Sequence, residues 1–256
     1  MTKDHLAADL EAARQGRSTI TSRRGTRDAV GLDAAYELGQ NLERERVSAG
    51  WRPAGWKLGF TNQTLWSRLG LDRPIRARIY HETLCGDDLD SADLVQPRIE
   101  PEIVVGFGAD VPQMSNPDVI ADAVEWVAAG LEVVHCHFER WEMTPAEAVA
   151  DAGVHAALAI GPRTEVTADE LRNLAAATCQ LLRDGMLTAT GNGADVLGGP
   201  LDALHWLLRG LPAGIRAGEI VTTGTLTQAM PLQPGQHWEH RLSASIALEP
   251  VHLHIR

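Results

Sequence analysis

From residue 54 onward the chain is written in short apolar runs, each broken within a few residues by Gly, Pro or Asp. Runs of this length suit strands and are too short for the helices of a bundle. They also lack the regular strand–helix alternation of a doubly wound sheet, so they predict an α+β fold with mixed strands. The first fifty residues differ. Leu6, Leu10 and Ala13 recur at helical spacing over 2–15, and Ala35, Leu38 and Leu42 do so over 31–48, where Gly50 and Pro53 end the pattern. The expected organisation is therefore an N-terminal helical segment, 1–53, packed on a single core unit, 54–256. No linker-like stretch divides that core.

Within the core, residues 99–107 (Ile-Glu-Pro-Glu-Ile-Val-Val-Gly-Phe) read as a strand. Asn116-Pro117-Asp118 opens a predicted helix to about 129, because Ile120, Ala123, Val124, Val127 and Ala128 fall on one helical stripe and Gly130 follows as a cap. Residues 131–137 read as the next strand. Thr144-Pro145-Ala146-Glu147 is a capping box with Pro at the first helical position. Residues 169–190 fit either a helix or a hairpin turning at Asp184-Gly185, with the hairpin favoured from about 175. The four glycines between Gly191 and Pro200 read as an ordered loop. A helix follows with Leu201, Leu204 and Leu208 on one face, and late strands are expected at 218–223 and 243–254.

Composition narrows the function classes. Of 256 residues, 34 are acidic and 23 basic, a formal net charge of −11. That balance disfavours nucleic acid and anionic membrane as partners. With 44% hydrophobic and 22% charged residues the chain can bury a core and is not of the disordered class. The first residues lack an apolar leader region, and no run is long enough to span a bilayer. Cys85, Cys136 and Cys179 are an odd set without metal-binding spacing, which suits free thiols in a cytoplasmic protein. Seven Trp outnumber three Phe and two Tyr. Each brings apolar area and one N–H, suited to core, pocket wall or interface.

Three carboxylates stand where solvation does not explain them. Glu100 and Glu102 flank Pro101 in an apolar strand, so both side chains point to one face. Side by side they repel each other, and burial makes each costlier. A divalent cation relieves both, since carboxylate oxygens are the ligands hard ions prefer. Glu132 lies in the apolar run Gly130–Val134, where it is either half of a buried salt bridge or a third oxygen ligand. Lys57, in Gly55-Trp56-Lys57-Leu58-Gly59-Phe60-Thr61, is either a snorkelling side chain or a desolvated ammonium for proton transfer or anion binding.

The ordered set Gly55–Thr61, Gln96–Glu102, Leu131–Val134, Gly191–Pro200 and Thr223-Gly224-Thr225, with Asp33-Ala34-Ala35-Tyr36 near the start, resembles one family. It is similar to the 2-keto-4-pentenoate hydratase / 2-oxo-3-hexenedioate (4-oxalocrotonate) decarboxylase family of the fumarylacetoacetate hydrolase superfamily. The resemblance implies a mixed β-roll core and a Mg²⁺ or Mn²⁺ ion held by Glu100, Glu102 and Glu132. It places Lys57 at a small anionic 2-oxo acid, with Glu82 as a second acid/base. Thr61, Thr225, His135, His137 and Asp151 are the substrate-binding candidates, and a homo-oligomer is expected. The implied activity is hydratase or decarboxylase chemistry through a metal-stabilised enolate.

The chain departs from the family pattern in three places. His135-Cys136-His137 stands where the family has Asp-Ser-Arg, Ala150-Asp151-Ala152-Gly153 where it has Ala-Asp-Asn-Ala, and Trp66 where it has Gln. An Arg replaced by His loses a permanent charge and a bidentate fork. His135 and His137 would share a strand face, as a metal pair or as part of a packed network. Two other readings remain open. One is an acylpyruvate-type C–C hydrolase, with His135, His137 or His155 as base; the other is a catalytically altered paralogue acting as an assembly partner. The absence of Gly-x-Ser-x-Gly disfavours a serine hydrolase, and Gly191-Asn192-Gly193 lacks a full dinucleotide fingerprint.

Overall fold

The computed structural model describes residues 2–66 and 71–256. Two helices open the chain, α1 (Thr2–Gly16) and α2 (Leu32–Ser48). Leu6, Leu10 and Ala13 of α1 and Ala35 and Leu38 of α2 are buried, as their spacing predicts. Leu6, Leu10, Ala35 and Leu38 pack with Ile75, Phe138 and Val149 in a core cluster of their own, which seats the helical segment on the rest of the molecule.

The remaining chain builds two sheets. The larger contains β1 (Pro53–Gly59), β2 (Ile75–Tyr80), β3 (Leu84–Cys85), β5 (Arg98–Phe107), β6 (Val124–Val134), β7 (His155–Ile160) and β11 (Ile220–Thr225) in the order β2-β1-β11-β5-β6-β7-β3. Two short strands, β8 (Thr164–Glu165) and β12 (Met230–Pro231), join its flanks at β6 and β5. The smaller sheet has the order β10-β9-β13-β14-β4, from β4 (Asp88–Leu89), β9 (Thr178–Arg183), β10 (Met186–Asn192), β13 (His237–Ser243) and β14 (Val251–Ile255). Most pairs are antiparallel, while β1/β11, β3/β7 and β14/β4 are parallel. Trp238, Leu242 and Leu253 of the smaller sheet meet Ile103, Leu131 and Val133 of the larger in one core. The short helices α3 (Pro117–Ala123), α4 (Pro145–Ala150), α5 (Ala168–Asn173) and α6 (Pro200–Arg209) complete the mixed α+β architecture. Among the described residues no helix is long and apolar enough to cross a membrane.

The main correction lies at 117–134. The predicted helix to about 129 stops at Ala123, and Val124 begins an eleven-residue strand. This strand is covered on both faces, so it reads as a continuous apolar run whose residues also happen to satisfy helical spacing. Gly130 is not a helix cap but an interior strand residue, where a Cβ would lie 2.5 Å from Val104 Cγ2. The strand expected at 131–137 ends at Val134, so His135 and His137 lie beyond it. The segment expected as one strand over 243–254 is the end of β13, a connection and β14.

The hairpin reading holds: β9 and β10 turn through Asp184 and Gly185, both at positive φ (51° and 78°). The capping box also forms, with Thr144 N donating to Glu147 at 2.7 Å and Glu147 N donating to Thr144 at 3.1 Å. The helix it opens, α4, delivers the chain to the turn at 151–154 beside the functional site.

Candidate metal and substrate site

Strand register assembles the carboxylates. Glu100 and Glu102 share a face of β5 by the two-residue repeat, and β6 pairs antiparallel with Glu132 directly opposite Glu100. One ligand atom from each of the three lies within 4.8 Å of the others. Glu102 and Glu132 are 0% exposed, while Glu100 is partly exposed on the wall of a cavity. Beyond β11, which pairs with β5, its parallel neighbour β1 brings in Lys57, which is 2% exposed.

Each buried carboxylate uses one oxygen on the protein. Glu132 Oε1 lies 3.3 Å from Lys57 Nζ and 2.8 Å from His155 Nδ1. Glu102 Oε2 accepts from the Gly224 backbone N–H at 2.7 Å. The other oxygens, Glu102 Oε1 and Glu132 Oε2, receive no hydrogen bond from a described donor. Buried acceptors left this way are costly. A hard divalent cation fits them, because the donor set is all oxygen and carries more negative charge than one ammonium offsets.

The electrostatics agree with that imbalance. Burial pushes the Glu100 carboxyl up, with Lys57 opposing and Glu132 reinforcing the rise. Burial and the adjacent Glu132 push Glu102 well above the carboxylate range. Burial resists ionisation of Glu132 too, but Lys57 and His155 outweigh it and hold this carboxylate below its ordinary value. Burial likewise works against the charge on Lys57, and Glu132, Glu100 and Glu102 together outweigh it, so Nζ keeps its proton. Two of the three carboxyls are thus shifted in the direction that makes protons compete with a metal ion for the cluster.

An open cavity of about 1040 Å³ reaches Lys57 and Glu100. Its wall includes the polar Thr61 and Thr225 together with Phe60, Arg98 and Trp141, with the Arg98 guanidinium 4.4 Å above the Trp141 ring. Thr61 Oγ1 is buried without a hydrogen-bond partner among the described residues, and Thr225 Oγ1 donates to Thr227 O at 2.9 Å. Gly224 is obligatory between them. It has φ 113°, and a Cβ there would lie 1.9 Å from Thr61 Oγ1.

The other expected site residues lie elsewhere. The Glu82 carboxylate accepts from Arg52 N at 2.8 Å and Nε at 3.1 Å and does not line the cavity. His137 Nδ1 lies 2.9 Å from Asp151, which also takes Arg14 of α1 at 3.3 Å; this network ties α1 to the core. His135 packs edge-on to His137 with centroids 4.6 Å apart, the packed-network alternative rather than a chelating pair. Burial and His137 lower its pKa to about 4. Cys136 is buried against Phe138 O and Met143, and burial pushes its thiol up to about 12. Trp66 Nε1 donates to Phe60 O at 2.7 Å.

Three partners were not visible as site residues. The Gly224 N–H and the Gly153 carbonyl, which accepts from Lys57 Nζ at 3.1 Å, are backbone groups that no side-chain pattern reveals. His155, noted only as a possible base, instead bridges Glu132 and Thr83 Oγ1, each at 2.8 Å. The turn beside it is unusual: Ala152, Gly153 and Val154 have φ of 55°, 65° and 56° in succession. Left-handed backbone costs an L-residue roughly 1–2 kcal/mol, so packing and the Lys57 hydrogen bond must hold it.

This fold and site define a class. Residues 80–249 match the family described as fumarylacetoacetate (FAA) hydrolase C-terminal, and the chain belongs to that family. Among its relatives, the 2-keto-4-pentenoate hydratase of Paraburkholderia xenovorans (strain LB400) is 30% identical over 244 residues, 93% of this chain and 90% of that one. The 2-hydroxyhexa-2,4-dienoate hydratase of Comamonas testosteroni is 30% identical over 238 residues, 90% of this chain and 89% of that one. In fold, the 4-oxalocrotonate decarboxylase of Pseudomonas putida G7, complexed with magnesium and adipate, matches with a TM-score of 0.89 at 24% identity, covering 98% of this chain and 96% of that chain.

Proposed function

We propose that this chain is a divalent-metal-dependent lyase, a hydratase or decarboxylase, acting on a small 2-oxo or 2-hydroxydienoic acid. The observation that carries the reading is the convergence of Glu100, Glu102 and Glu132 beside Lys57 at the end of an open cavity. The hydratase relatives support the substrate class. We assign Glu100, Glu102 and Glu132 as the residues that hold Mg²⁺ or Mn²⁺. When bound, the cation supplies Lewis-acid stabilisation of the negative charge that develops on the substrate's 2-oxo oxygen.

The chain's own residues do the rest. Lys57 Nζ, protonated and fixed by Glu132 and Gly153 O, attracts the anionic substrate and holds a proton ready to deliver to it. Thr61 offers an unpartnered hydroxyl to the substrate carboxylate, and Thr225 would do so on exchanging its bond to Thr227 O. Phe60 and Trp141 give the cavity wall apolar surface against which a bound substrate displaces water. Segment 54–256 is taken as the catalytic core, a β-roll, with 1–53 packed on it. A cytoplasmic homo-oligomer is the expected working form.

The acylpyruvate-hydrolase alternative needs a base facing the substrate. His135, His137 and His155 are all absent from the cavity wall, and His155 is committed to Glu132. The test is to incubate the protein with Mg²⁺ and, separately, 2-hydroxypenta-2,4-dienoate, 2-oxo-3-hexenedioate and an acylpyruvate. Loss of ultraviolet absorbance by hydration, or CO₂ release, is expected with one of the first two. Acid release from the acylpyruvate alone would overturn the reading in favour of hydrolysis, and silence on all three would favour the non-catalytic paralogue.

A further inference from the structure

A second open cleft of about 520 Å³, the rear cleft, lies between α2 and the edge strand β2. Register explains its chemistry. Trp56 pairs with Arg78 and Leu58 with Arg76, so Trp56, Arg76 and Arg78 share one face of the two strands, and Ala77, paired with Lys57, reaches the cleft from the other. Arg46 of α2 and Tyr36 close the cleft. Arg78 is already neutralised, 2.8 Å from Glu43 and 2.9 Å from Glu219. Arg46 and Arg76 form no ion pair among the described residues. Arg46 lies 4.8 Å from the Trp51 ring centroid and 5.1 Å from that of Tyr80, and Arg76 lies 4.5 Å from that of Tyr36. Stacking occupies the flat face of a guanidinium and leaves its N–H edge to donate. Two such edges in a half-enclosed, aromatic-walled cleft, on a chain of net charge −11, are the chemistry of an anion site.

The cleft shares a wall with the catalytic cavity. Ala152 faces the rear cleft, whereas Gly153 and Val154 line the catalytic cavity, and Gly153 O holds Lys57 Nζ at 3.1 Å. All three wall residues have left-handed backbone, a conformation uncommon for any L-residue and exceptional for β-branched Val154. Such a turn persists only while its surroundings over-determine it.

We propose that the rear cleft is a second binding site, for a small organic carboxylate with a flat apolar body, and that its occupancy is transmitted to Lys57 through the 152–154 turn. Arg46 and Arg76 take the carboxylate edge, and Tyr36 and Trp56 flank the apolar body. The site itself is independent of the activity proposed above, while the transmission rests on the role given there to Lys57.

Benzoate is the probe. The full chain is loaded with Mg²⁺ and saturating pyruvate, so that the catalytic cavity is filled, and benzoate is titrated by calorimetry. Inorganic phosphate serves as a charge-only control. One benzoate per chain is expected, bound at least tenfold tighter than phosphate. The Arg46→Gln/Arg76→Gln double variant should weaken it at least tenfold without changing pyruvate affinity, and Arg76→Lys should lose less. Benzoate should shift the Val154 methyl resonances and alter kcat more than KM in the parent chain but not in the double variant. Competition with pyruvate, equal affinity for phosphate, or unchanged affinity in a folded double variant would each overturn the site. If the double variant fails to fold, Arg46→Lys/Arg76→Lys takes its place, and unweakened binding there overturns the role of the planar edges. Benzoate binding that leaves the Val154 resonances in place would overturn the transmission, whether or not the enzyme turns over the substrates tested.

Discussion

Replacing His155 with Phe probes how the carboxylate cluster is held. His155 and Glu132 side chains are both 0% exposed and meet at 2.8 Å, and the ring's other nitrogen is fixed by Thr83 at the same distance. Phenylalanine fills similar space and makes neither hydrogen bond. A hydrogen bond to a charged group contributes about 1.5–3 kcal/mol, so the cation-free variant should lose that much stability. For a chain of this size that is a fall in Tm of roughly 3–12 °C. Glu132 would keep only Lys57 on Oε1, and its free oxygen would lose its fixed aim. Removing a partner that orients a ligand typically weakens metal affinity about 10–100-fold. The assay is a Mn²⁺ titration followed by the electron paramagnetic resonance of the free ion, paired with thermal melting. His155→Gln, which can still donate, should recover part of the affinity. A folded His155→Phe protein that binds Mn²⁺ within twofold of the parent would refute the reasoning.

Lys57→Met separates charge anchoring from metal holding. Activity should fall by about 10²–10⁴ while Mn²⁺ affinity is retained or rises, because a competing positive charge is removed beside Glu132; steady-state rates and the same resonance titration read the two effects. Stability should also depend on pH through His240, which is buried with Nδ1 3.0 Å from Gly130 O and whose pKa burial lowers from 6.5 to about 4. The unfolded chain takes up this proton first as pH falls, so the stability is fully present above 6.5 and is lost as pH drops toward 4. The loss is about 3 kcal/mol by linkage. Urea unfolding across that window should show it, and His240→Leu should flatten it.

Much of this site could be read from the residues because the strand repeat is rigid. Glu100 and Glu102, two apart in an apolar run, had to share a face, and Glu132 was conspicuous among Leu131, Val133 and Val134. What joined them was the register of β5 on β6, a long-range pairing that local pattern does not specify. The same burial that made Glu132 conspicuous misled the reading of 117–129, since a strand covered on both faces has no alternation to distinguish it from a helix stripe. His135 and His137 looked like a same-face pair only while β6 was assumed to run to residue 137; it ends at Val134, and the two rings pack on each other. Glu82 was placed by resemblance alone, and Arg52 holds it away from the cavity. The α1 and α2 stripes and the Asp184-Gly185 turn were legible because each depends on neighbours in sequence.

The claim that Glu100, Glu102 and Glu132 hold a divalent cation is tested most directly by counting Mn²⁺ ions bound to the parent chain and to Glu102→Gln. Gln keeps the shape and can still accept from the Gly224 N–H but supplies no charge. One Mn²⁺ per parent chain and a loss of at least 100-fold in affinity in a folded Glu102→Gln protein is the predicted result. Equal stoichiometry and affinity in the two proteins would contradict it.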